Sequence, residues 1–79
     1  MKKFYFVGGP KLGFFEEFFT RLKNVGGLPK GWTIYPHANE DGKVLHIVET
    51  NSLDDILTHL NNFNGIYENS DIVEIIERS

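Results

Sequence analysis

The stretch 32-WTIYPHANEDGKVLHIVET-50 decides the fold of this chain. Two runs rich in aromatic, aliphatic and β-branched residues, Trp32–Ala38 and Lys43–Thr50, flank Asn39-Glu40-Asp41-Gly42. Asp-Gly between such runs signals a hairpin, because glycine accepts the positive φ that tight hairpin turns demand. Pro36 has no N–H to give to a ladder, so the earlier strand is expected at a sheet edge. A helical pattern lies on each side of this hairpin, with one more strand beyond each helix. That order is a βαββαβ unit.

Upstream, Lys3–Val7 reads as a strand that ends at Gly8-Gly9-Pro10. Phe4 and Phe6 fall on one face, Tyr5 and Val7 on the other, so the strand is expected to be covered on both sides. A helix follows from about Pro10 to Val25, proline being tolerated at a first helical position. Phe15, Phe18, Phe19 and Leu22 make its apolar stripe at i, i+3, i+4 and i+7, and Gly26-Gly27 followed by Pro29 stops it. The loop Gly8–Gly13 matches neither phosphate-binding glycine pattern, so it reads as a tight turn, an anion held by backbone N–H groups beside Lys11 being the alternative.

Downstream, the second helix is expected from Ser52 to about Asn64. Ser52 with Asp55 forms a variant capping box, and Leu53, Ile56, Leu57 and Leu60 form the buried stripe. Asn64-Gly65 is a C-cap, Ile66 and Tyr67 fold back onto the core, and Ile72–Glu77 is the last strand. The expected fold is α+β and ferredoxin-like: one domain over residues 1–79, a four-stranded antiparallel sheet in the order 4-1-3-2, and two helices on one face. The set Ile34, Ala38, Leu45 and Ile47 is the more apolar hairpin face and is assigned to the helices.

Composition narrows the function classes. The chain has 79 residues and no cysteine, so disulfides and thiolate metal sites are excluded. A core this small supplies only ~3–5 kcal/mol, and oligomerisation is a common supplement. Seven Phe, three Tyr and one Trp are more aromatic surface than such a core hides, which points to a homodimer through the sheet. Eight Lys and Arg against eleven Asp and Glu leave a formal net charge of −3, against the basic face that phosphate backbones require. The apolar run after Lys2-Lys3 is too short for a leader, and no segment approaches the ~20 apolar residues of a membrane span. A cytoplasmic protein without membrane or nucleic-acid partners is expected.

The hairpin carries the unusual polar chemistry. A two-residue Asp41-Gly42 turn sets His37 opposite His46 and Tyr35 opposite Val48. A four-residue loop sets Tyr35 opposite His46 and His37 opposite Val44. Both registers gather Tyr35, His37 and His46 on one face with Thr33, whereas a three-residue loop splits the two histidines. Two histidines and a tyrosine suit a ligand site, proton transfer, or two legs of a metal site; ordinary surface or interface residues are the plain alternative. Zinc needs further ligands, for which Glu49, Glu74 and His59 are candidates that spacing does not place. Glu74 otherwise reads as a solvent-reaching edge charge, His59 as a boundary residue, and Trp32, on the side of Ile34, as core or interface.

Gly26-Gly27-Leu28-Pro29, the hairpin, and Ile47-Val48-Glu49 before a capped helix resemble a family of short bacterial and archaeal proteins that look like the dimeric α+β barrel superfamily. The start of the first helix, Pro10 through Gly13 to Glu16-Glu17-Phe18, is similar to the antibiotic-biosynthesis monooxygenase branch. The resemblance implies a βαββαβ protomer, dimerisation through the open sheet face and a pocket between sheet and helices. It transfers no catalytic residue and no cofactor.

Three functional readings follow. The first is a homodimeric small-molecule-binding domain, with Tyr35, His37 and His46 as polar lining and Phe15, Phe19 and Leu60 as apolar lining. The second is a cofactor-independent isomerase or monooxygenase-like enzyme with a histidine as general acid/base. The third is a structural or regulatory dimerisation module without a pocket.

Overall fold

A computed structural model describes residues 1–35 and 42–76. The elements in chain order are β1 (Lys2–Pro10), α1 (Phe15–Asn24), β2 (Trp32–Tyr35), β3 (Val44–Thr50), α2 (Leu53–Leu60), β4 (Tyr67–Asn69) and β5 (Val73–Ile75). A 3₁₀ turn at Asn61–Phe63 follows α2 directly. The sheet runs β2-β3-β1-β4, with β5 also on β1, and every pairing is antiparallel. The fold is α+β and broadly ferredoxin-like, with β2 at the edge as expected.

Five strands stand where four were expected, because β1 outruns its reading. Gly8, Gly9 and Pro10 continue the strand instead of ending it, and Pro10 is not a helix start. The far end of β1 therefore needs a partner, which Tyr67–Asn69 supplies. The near end pairs with β5. Between these two short strands Ser70 keeps the edge continuous: its N–H donates to the Val7 carbonyl at 2.8 Å, and its Oγ accepts from the Val7 N–H at 2.9 Å. A hydroxyl replaces a backbone carbonyl there, so the break leaves no orphan donor.

The helices differ from their predicted limits. α1 starts at Phe15, after a turn in which the Phe14 N–H donates to the Lys11 carbonyl. It ends as expected: Gly26 and Gly27 have φ near +88° and +87°, and their N–H groups close a Schellman motif onto Lys23 and Leu22. The capping box at α2 is not formed. Ser52 makes no side-chain cap, and Asp55 accepts instead from Thr50 Oγ1 at 2.7 Å.

The core is small. Phe4, Phe6, Val48 and Ile56 form its buried cluster, with Trp32, Leu60, Tyr67 and Ile72 packed on it. Of the predicted α2 stripe only Ile56 is fully buried, while Leu53 and Leu57 remain exposed.

The hairpin register divides the expected face: Ile34 lies under the helices, Leu45 and Ile47 lie on the other side, and Ala38 is outside the described residues. Ile34 pairs with His46 and Tyr35 with Leu45, an odd number of residues lying between the latter two. Each shift by one residue exchanges the faces of a strand. The helix-covered face accordingly holds Trp32, Ile34, Val44, His46 and Val48. Leu45 and Ile47 lie on the open face with Tyr5, Val7, Thr33 and Tyr35. The Asp41-Gly42 turn lies largely outside the described residues, as do Pro36 and His37.

Candidate functional site

The helix layer does not seal the sheet. A cleft of about 220 Å³ lies between the first half of α1 and the sheet, walled by Phe15, Phe18, Phe19, Ile34, Val44 and the Gly8–Pro10 end of β1. His46 and Tyr67 also line it. A narrower extension of about 80 Å³ runs toward Leu28, Trp32, His59 and Leu60, sharing Phe18, Phe19, Ile34, His46 and Tyr67.

The cleft follows from where side chains are missing and where α1 is anchored. Gly8 and Gly9 contribute no side chains to the floor, and Phe15 lies over Gly42. The second half of α1 is tied down by Arg21, which donates to the Asn62 and Asn64 carbonyls and pairs with Glu17 at 2.9 Å. Phe18 packs on Phe63 and Tyr67, with ring centroids 4.9 and 5.7 Å apart. No residue of α1 is fully buried, and Phe19 is 60% exposed. The apolar stripe legible in the sequence thus forms a wall rather than a packed core.

His46 is the buried polar residue at the base of this wall. Its ring stacks on Phe6, with centroids 4.6 Å apart and planes 8° from parallel. Trp32 Nε1 lies 2.9 Å from Nδ1. An indole N–H can only donate, so Nδ1 holds the lone pair and Nε2 carries the proton. That proton faces the Gly8 carbonyl and the Tyr67 hydroxyl oxygen, both at 3.2 Å. A second proton on the ring would displace the Trp32 donor.

Burial agrees with this reading. It lowers the His46 pKa from the ordinary 6.5; the Gly8 carbonyl opposes the shift and the charge of His59 adds to it. Burial likewise lowers the pKa of His59, whose ring meets Trp32 edge-on at 4.8 Å. Burial raises the Tyr67 phenol well above its usual range, so Tyr67 keeps its proton. The cleft therefore has an apolar wall and an uncharged polar floor.

The two described members of the predicted trio, Tyr35 and His46, lie on opposite faces of the sheet. His46 lies on the helix-covered face, Tyr35 is 44% exposed on the opposite one, and His37 lies outside the described residues. Phe15, Phe19 and Leu60 do line the cavity, as expected. Glu74 is exposed, Glu49 pairs with Lys3 at 3.7 Å, and no group of three metal-ligating side chains occurs among the described residues. A larger groove of about 420 Å³ lies at Met1–Lys3, Glu49 and Glu74–Ile76, but among the described residues no aromatic side chain lines it.

Trp32, Tyr67 and Gly8 surround His46, and no periodic pattern in the sequence points to them. A glycine within an aromatic strand is a sign of close approach by another group. An ideal Cβ on Gly8 would lie 2.6 Å from Tyr67 Oη, so glycine is what admits the tyrosine beside His46.

No family model matches the chain, and no curated protein or solved structure matches it.

Proposed function

We propose that this domain binds a small apolar molecule in the cleft between α1 and the sheet, acting as one half of a homodimer of the dimeric α+β barrel type. The cleft carries the reading: about 220 Å³ of space walled by phenylalanines over the neutral His46–Tyr67 floor. An apolar cavity of ~150 Å³ is enough to bind benzene, whereas drug-sized ligands need ~300–1,000 Å³. The occupant is thus one substituted ring.

The test is an NMR titration with ethylbenzene. Saturable shifts at the Gly8 and Gly9 amides and the Trp32 indole N–H are expected, without shifts at Tyr5 or Leu45 on the other face. Shifts that never saturate, or none in the cleft, would refute it.

The dimer is supported by the uncovered sheet face. Tyr5, Tyr35 and Val73 are exposed there, and Val7, Leu45, Ile47 and Ile75 are half-buried. Light scattering is expected to give twice the 9.1 kDa of the chain. Leu45→Glu, on that face and away from the cleft, is expected to return the single-chain mass. A single-chain mass for the unsubstituted protein would remove the dimer while leaving the cleft reading intact.

A further inference from the structure

The geometry points to the Tyr67 hydroxyl as the hydrogen-bond donor that captures a carbonyl oxygen, making the ligand a neutral ring compound of the aryl ketone, aldehyde or quinone class. This inference rests on the cleft reading above.

The direction of one hydrogen bond sets those of the rest. Trp32 Nε1–H must donate to His46 Nδ1. His46 then has its single proton on Nε2, so across the 3.2 Å contact the Tyr67 oxygen is the acceptor. If Tyr67 donated instead, Nε2 would need a lone pair, Nδ1 would carry the proton, and two donors would meet at Trp32. The Tyr67 O–H therefore has no acceptor in its contact with His46, which is its hydrogen bond among the described residues. Tyr67 lines the cleft, and a phenol O–H turned into it can donate.

The same relay disfavours other ligand groups. The nearby Gly8 carbonyl already faces the His46 N–H, so a ligand donor would have to share that oxygen with His46. Among the described residues no lysine or arginine lines the cleft, and an unpaired anion in an apolar site is costly. An uncharged acceptor on an apolar ring satisfies the walls and the floor together.

The test compares acetophenone with ethylbenzene, two probes of nearly the same shape, on the full chain and on Tyr67→Phe. The substitution is expected to weaken acetophenone binding about three- to tenfold, the range of one neutral hydrogen bond, and to leave ethylbenzene within about twofold. The infrared carbonyl stretch of bound acetophenone is expected at lower frequency in the unsubstituted protein than in Tyr67→Phe. If the substitution changes both probes alike, or neither, the donor role is overturned while binding in the cleft stands. If neither probe binds the unsubstituted protein, the cleft reading itself falls. Should Tyr67→Phe not fold, Trp32→Phe replaces it. That change frees His46 to switch tautomer and accept a hydrogen bond from the Tyr67 O–H, and the same selective loss is expected. If neither variant folds, the unsubstituted protein decides: a carbonyl stretch unshifted from its value in alkane overturns the role.

Discussion

Gly8→Ala is the sharpest probe of how this site is built. Alanine in place of a strand glycine ordinarily stabilises by about 0.4–1 kcal/mol, because it narrows the unfolded ensemble. Gly8 is not among the positive-φ glycines, so alanine suits its backbone. The sign is reversed by contact. The new Cβ would lie 2.6 Å from Tyr67 Oη, 3.0 Å from Tyr67 Cε2 and 3.1 Å from Asn69 Cβ. Tyr67 cannot retreat freely, since its ring packs on Phe18 and Phe63 and its backbone pairs with Pro10. Overpacking of this kind costs about 1–3 kcal/mol, and losing the Tyr67–His46 hydrogen bond adds about 0.5–1.5 kcal/mol. A net loss of about 1–3 kcal/mol follows, each kcal/mol lowering Tm by about 4–8 °C in a domain of this size. Urea unfolding followed by Trp32 fluorescence measures it. In Gly8→Ala/Tyr67→Phe the closest clashing atom is gone, so the double variant should lose less than the sum of the singles. A Gly8→Ala protein as stable as its parent, or additive losses in the cycle, would refute the close-approach argument.

Ile56 and Leu57 are neighbours on α2 with opposite environments. Ile56→Ala should cost about 2–5 kcal/mol by urea unfolding, against about 0.5 kcal/mol or less for Leu57→Ala, and similar losses would contradict the helix rotation. The 15N resonances of the His46 ring should show the proton on Nε2 at neutral pH, and a proton on Nδ1 would break the relay from Trp32 to Tyr67. His46 and His59 both have native pKa values below the unfolded 6.5. The unfolded chain therefore takes up protons first as pH falls, so stability is full above about 6.5 and declines below it until the native pKa values are reached. Unfolding free energies that do not drop from pH 7.5 to pH 5 would remove the buried neutral histidine.

The strand and helix order was legible because each segment repeats its own period. Phe15, Phe18, Phe19 and Leu22 could only share a helix face, and Gly26-Gly27 could only end it. The lining of the cleft was legible in part: Phe15, Phe19, Leu60 and His46 line it, whereas Tyr35 lies on the other face of the sheet. Tyr35 was set beside His46 because Asp41-Gly42 favours an even loop, while the observed register pairs His46 with Ile34. Strand parity is a long-range property, since one added residue in a loop leaves both strands' patterns unchanged and exchanges their faces. The length of β1 was misread for a related reason. Glycine and proline usually end strands, and only a partner such as Tyr67, which needs the space that Gly8 leaves, makes them part of one.

What the amino-acid sequence determined by itself was local and periodic: the alternation of strands and helices as far as α2, an edge position for β2, a helix stop at two glycines, and more aromatic surface than one small core can hide. Only the tertiary structure decided which face the helices cover, that the phenylalanine stripe stands off the sheet, and that Trp32, His46 and Tyr67 join in one relay. Those outcomes depend on register and on close approach between residues far apart in the chain. Periodicity says which residues share a face of their own element, and it is silent on which element they will meet.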